Sequence, residues 1–164
     1  MTVQTGDLLP QATFLQMGDG GVATVDSQNL FQGRRVALFG LPGAYTGTCS
    51  TLHVPSFIRV APALRDKGID AIVCISVNDP YVMKQWAADT GGSDAGITFL
   101  ADAEGAFTKA IGMEFTAQAT GLIGRCRRFS ALVEDGRVTI LNIEPKGGQC
   151  NLTAGETLRE QIGA

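Results

Sequence analysis

Two short apolar runs constrain this chain more than anything else in it. Arg35 to Gly40 (RVALFG) and Asp70 to Val77 (DAIVCISV) are nearly unbroken hydrophobic stretches. A strand that is apolar on both sides has to be covered on both faces. A long helical pattern from about Thr46 to Lys67 separates them, entered through the turn Pro42-Gly43-Ala44-Tyr45-Thr46 and stopped by Gly68. The rhythm continues: Asn78-Asp79-Pro80 reads as the cap of a helix over Tyr81–Ala88, with proline in its first turn. Ile97–Leu100 is a third strand and Gly105–Ile111 a third helix. Arg127–Val133 and Arg137–Ile143 then flank Glu134-Asp135-Gly136, an Asp-Gly hairpin signal and so an antiparallel pair. A last helix is expected over Ala154–Ile162. Near the start, Met17 to Gly21 is a hairpin candidate, and Asp26-Ser27 precedes a short helical turn at Gln28–Phe31. The expected fold is α/β, a mixed central sheet with helices on both faces. At 164 residues, with no repeat and no linker, it fits one domain over 1–164.

Composition narrows the chemistry. Thirteen basic against sixteen acidic residues leave a net charge of −3, so nucleic acid is not an expected partner. A histidine-rich zinc site or a Ser-His-Asp triad would rest on His53, the single histidine. The four cysteines, Cys49, Cys74, Cys126 and Cys150, include no C-x-x-C pair, which removes zinc ribbons and thioredoxin-type redox pairs. MTVQTGDLLPQATF has no secretory pattern, and the longest apolar stretch, Val36 to Ala44, is far below the roughly 18 residues of a membrane span. A cytoplasmic protein with reduced thiols and no membrane partner is the expectation.

Cys49 falls in the first turn of the helix that follows the first buried strand. A helix N-terminus offers free N–H groups and partial positive charge, both of which favour a thiolate. Thr46 is at the N-cap spacing to accept the Cys49 N–H, and Pro42 ends the strand beside it. Taken alone, Thr-x-x-Cys fits an inert cysteine behind a cap equally well. Arg125, Arg127 and Arg128 read either as a solvated basic run or as a strand that turns one arginine inward.

With Phe39-Gly40 before it and His53-Val54-Pro55 after it, PGAYTGTCS resembles the peroxidatic motif P-x-x-x-T-x-x-C of the peroxiredoxins. SVNDP at Ser76–Pro80 and Arg128-Phe129-Ser130 are similar to the type II group, which includes the peroxiredoxin V type. The resemblance implies a thioredoxin-like fold and a peroxidase for hydrogen peroxide and alkyl hydroperoxides. It makes Cys49 the nucleophile, whose product is a sulfenic acid. It has Thr46 orient the peroxide, Pro42 shield the thiolate and Arg128 support both. It implies no metal or organic cofactor, a glutathione/glutaredoxin or thioredoxin reductant, and a homodimer. A redox sensor passing Cys49 oxidation to partner proteins is the alternative. Cys150 and Cys74 both match resolving positions in relatives, though Cys74 sits mid-strand and the loop before Cys150 is shorter than in those relatives. A one-cysteine cycle stays open. Cys126 matches no such position. His53, one turn beyond Cys49, is expected to pack beneath the site, Trp86, Met83 and Tyr81 to form a core stripe, and Asn78 with Asp79 to serve as a cap.

Overall fold

A computed structural model describes residues 1–145 and 149–163. The two apolar runs become β3 (Arg35–Gly40) and β4 (Ala71–Ser76), paired in parallel with Phe39 opposite Cys74. β5 (Thr98–Ala101) extends the parallel group beside β4. β8 (Phe129–Glu134) and β9 (Arg137–Ile143) add antiparallel strands beyond β3. On the far side, β1 (Thr13–Gly18) pairs with β5 and with β2 (Gly21–Asp26). The result is a mixed seven-stranded sheet in the order β2-β1-β5-β4-β3-β8-β9. Asp135 and Gly136, at φ 49° and 79°, supply the left-handed turn residues of the β8–β9 hairpin.

Alternation along β3 divides the core. Ala37 and Phe39 face a cluster that includes α2 (Val54–Asp66), α3 (Pro80–Thr90) and α5 (Gly155–Gln161). Val36 and Leu38 face the opposite cluster, with α1 (Ser27–Phe31) and α4 (Ala106–Ala110). Helices therefore cover both faces, as continuous apolar strands require.

Three local expectations change. The helix expected from Thr46 is not one regular rod: Cys49–His53 forms a π-helical turn, and α2 begins at Val54. Pro55 has no N–H to give the carbonyl four residues back, and the Val54 N–H bonds the Cys49 carbonyl, five residues back. Second, β8 starts at Phe129 rather than Arg127, because the preceding chain belongs to a separate hairpin. That hairpin, β6 (Glu114–Ala117) with β7 (Leu122–Cys126), was not foreseen; its segments, four and five residues long, are too short to carry a clear hydrophobic alternation. Third, Tyr81 is exposed while Met83 and Trp86 are buried, since two helical steps from Met83 turn a side chain about 200° around the axis.

Candidate active site

The C-terminal end of β3 opens onto the π-helical turn and places Cys49 there, fully buried. Gly40, the last residue of β3, has no room for a side chain because the Phe129 ring closes over it: a Cβ would lie 2.3 Å from Cε1 of that ring. The chain then turns through Pro42 to Thr46, with Tyr45 at φ +62°, a conformation that non-glycine residues seldom adopt. Three contacts pin this turn and the start of the helix to α3 and the loop before it. The Ala44 N–H donates to Asn78 Oδ1 at 2.9 Å, the Tyr45 hydroxyl to Asp89 at 2.6 Å, and Trp86 Nε1–H to Ser50 Oγ at 3.0 Å. Asp79 is the helix cap, accepting from the Val82 N–H, whereas Asn78 holds the Cys49 loop. Its place in the cap was a misreading that chain proximity invites.

Thr46 Oγ1 donates to the Gly43 carbonyl at 2.7 Å, a bond the cap assignment did not include. The hydroxyl proton is thus committed to the turn, and Thr46 presents lone pairs toward a ligand.

Arg128 is buried, and its Nη2 donates to Cys49 Sγ at 3.2 Å. Of the neighbouring arginines this one reaches the sulfur. A guanidinium against sulfur suits the thiolate form, the nucleophilic one. Nη1 donates to His53 Nδ1 at 3.0 Å. His53 Nε2 in turn faces the Thr153 carbonyl at 3.0 Å. A guanidinium only donates and a carbonyl only accepts, so His53 is neutral with its proton on Nε2. Burial among Phe39 and Phe57 and the charge of Arg128 push His53 down to about 3. His53 therefore does more than pack: it fixes the orientation of Arg128. Arg128 Nε is buried and has no partner among the described residues.

Behind His53, Glu144 Oε2 accepts from the N–H groups of Asn151 and Thr153 and from the Thr153 hydroxyl, at 3.2, 3.2 and 2.9 Å. The Glu144 N–H bonds the Arg128 carbonyl at 3.0 Å. This buried carboxylate ties the stretch after Cys150 to the strand end that carries Arg128. Sequence reading missed it, because Glu144, Arg128 and Thr153 are far apart in the chain.

The other thiols differ. Cys74 is fully buried in β4, and desolvation holds its thiol well above the usual range. Cys126, at the end of β7, is also buried and pushed up to about 12 by desolvation. Its Sγ donates to the Arg127 carbonyl, and β7 ends at Cys126, so Cys126 and Arg128 do not lie on one strand. Cys150 is half-buried, its thiol raised by burial, 3.9 Å from the Thr153 hydroxyl. Lys146, Gly147 and Gly148 of the loop before it lie outside the described residues.

A cleft of about 470 Å³ is lined by Pro42, Thr46, Thr48 and Arg128, the last bonded to Cys49, and by Phe115 and Leu122 of the β6–β7 hairpin. Pro42, Thr46, Cys49 and Arg128 are thus brought together from strand ends, turn and helix start.

Residues 4–156 match the model of the Redoxin family. Peroxiredoxin-2C of Oryza sativa subsp. japonica is 43% identical over 161 residues, covering 98% of each chain. Peroxiredoxin-2B of Arabidopsis thaliana is 40% identical over 162 residues, again covering 98% of each. Among solved structures, reduced Prx3 in complex with H₂O₂ from Vibrio vulnificus superposes with a TM-score of 0.91 at 36% identity, over 99% of this chain and 100% of that one. Peroxiredoxin 5 from Alvinella pompejana gives 0.84 at 27% identity, over 98% and 97%. The fold, the residues gathered around Cys49 and these relatives lead to one conclusion: the chain belongs to the redoxin family and is a peroxiredoxin, a thiol peroxidase of thioredoxin-like fold.

Proposed function

We propose that Cys49 is the peroxidatic nucleophile and that Pro42, Thr46 and Arg128 hold the hydroperoxide against it. The observation that carries this reading is Arg128, with Nη2 on the Cys49 sulfur and a buried Nε–H without a partner among the described residues. That N–H is a donor kept for a peroxide oxygen, and the Thr46 lone pairs suit the peroxide O–H. The Cys49 thiolate attacks the terminal oxygen of ROOH. An S–O bond forms as the O–O bond breaks, and the electron pair leaves on RO, which takes a proton to depart as ROH. Sulfur is oxidised by two electrons to the sulfenic acid, and the peroxide is reduced by the same two.

A thiol then attacks the sulfenic sulfur, releasing water and forming a disulfide. Cys150 is the favoured internal candidate, since it is half-buried on a stretch held by Glu144, whereas Cys74 is locked in the central sheet. The disulfide returns to thiols through glutathione/glutaredoxin or thioredoxin. A second copy of the chain would cover the exposed apolar side chains Tyr45, Leu52 and Leu152, which flank Cys49 and Cys150 in the chain, and so supports a homodimer. A reducing compartment such as the cytoplasm would keep the four thiols ready for the cycle.

Reduced protein given one equivalent of hydrogen peroxide, then mapped by mass spectrometry, tests the assignment. The expected product carries one added oxygen at Cys49 or a Cys49–Cys150 disulfide. Oxidation at Cys74 or Cys126 with Cys49 still reduced would overturn it. Catalytic consumption of peroxide with a thiol reductant, rather than a single stoichiometric oxidation passed to a trapped partner protein, separates a peroxidase from a sensor.

A further inference from the structure

Arg125 lies outside the set assigned to the chemistry, yet it touches the turn that shields Cys49. Its Nη1 donates to the Pro42 carbonyl at 3.0 Å, and Gly43 is shaped around it: a Cβ there would stand 2.3 Å from that same nitrogen. Arg125 is opposite Phe115 in the β6–β7 register, so the two side chains share one face of the hairpin. Phe115 and Leu122 supply apolar lining to the cleft, which Pro42 also lines. A two-stranded sheet is marginal by itself, and among the described residues this one makes no ladder with the seven-stranded sheet. Its base is tied toward α4 by the Lys109–Glu114 ion pair and by the Met113 N–H on the Thr108 carbonyl. Arg125 is what ties it to the Pro42 turn.

We propose that Arg125 is a specificity-determining positioning residue: by clamping the β6–β7 hairpin to the Pro42 turn it holds the apolar wall that receives bulky, apolar organic hydroperoxides. The inference rests on the peroxidase reading of this cleft. Hydrogen peroxide is small enough to be held by Thr46 and Arg128 alone. An aryl or long-alkyl hydroperoxide must also lay its apolar body along Phe115 and Leu122, and gains from the wall only while the wall is fixed.

The test compares the rate constant of Cys49 oxidation by cumene hydroperoxide with that by hydrogen peroxide. Arg125→Ala is expected to lower the cumene hydroperoxide value about tenfold while the hydrogen peroxide value stays within about threefold. Arg125→Lys, which keeps a donor for the Pro42 carbonyl, is expected to restore most of the difference. Gly43→Ala, whose new methyl displaces the guanidinium, is expected to reproduce the selective loss, and to add nothing in the Arg125→Ala background. Should Arg125→Ala fail to fold, Gly43→Ala carries the comparison. Equal losses with both peroxides, unchanged values with both, or a Lys variant as defective as the Ala variant would overturn the proposal. If the unmodified protein loses no Cys49 thiol with either peroxide, it is the peroxidase reading that fails instead.

Discussion

His53 shows how a residue's role depends on partners that are remote in the chain. Its position one turn beyond Cys49 was readable, and the residue was expected to pack. What the spacing could not show is Arg128, 75 residues away, on one ring nitrogen and Thr153, 100 residues away, on the other. The Arg128 bond needs the neutral ring, whereas Nε2–H can donate to the Thr153 carbonyl in either state; protonation would take the Nδ1 acceptor from Arg128 and place two cations side by side. Since the folded-state value is depressed to about 3 from an ordinary 6.5, the unfolded chain binds the extra proton first. Stability from this site is therefore complete above pH 6.5 and is lost as pH falls toward 3, at up to about 1.4 kcal/mol per unit. Thermal melting at pH 7 and pH 5 checks it. His53→Gln, which can accept from Arg128 and donate to Thr153 without titrating, is expected to lose less stability between the two pH values than the unmodified protein. Identical losses would remove His53 from the account.

Elements with a strong period were legible and those positioned by distant partners were not. β3, β4, α3 and the β8–β9 hairpin follow from apolar runs, a Pro-containing cap and an Asp-Gly turn. The β6–β7 hairpin, the π-helical turn and the role of Glu144 do not, because each is decided by packing or by a bond across the fold. The α2–α5 contact is another such case. Ser56 Oγ donates to the His53 carbonyl at 2.6 Å and accepts the Gly155 N–H at 2.9 Å. A Cβ on Gly155 would lie 2.6 Å from the Ser56 carbonyl and 2.8 Å from Val60 Cγ2. Gly155→Ala is expected to cost about 1–3 kcal/mol by overpacking, read as a lower denaturant midpoint with an unchanged slope. An unchanged midpoint would show that the two helices are not in the close contact described. Because α5 follows the Cys150 stretch directly, the same variant is expected to speed formation of any Cys49–Cys150 disulfide.

At the scale of the whole molecule, the mixed sheet sets its first crossover helix at the end of a central strand and brings Arg128, just ahead of β8, to the same place. The site is assembled from a turn, a helix start and the residue just ahead of β8, 79 residues beyond Cys49. The local half, Pro42, Thr46 and Cys49, is close in the chain and stood out at a helix start, but its role too came from the family resemblance. The choice of Arg128 over its neighbours came from family resemblance, and in three dimensions from the bond to sulfur. One histidine among 164 residues is enough for this arrangement, because the proposed chemistry asks His53 to hold an arginine rather than to move a proton. The most direct measurement is peroxide consumption in the presence of a thiol reductant by the unmodified protein and by Cys49→Ser. The account predicts multiple turnovers for the first and none above the protein-free background for the second. Turnover retained in Cys49→Ser would contradict it.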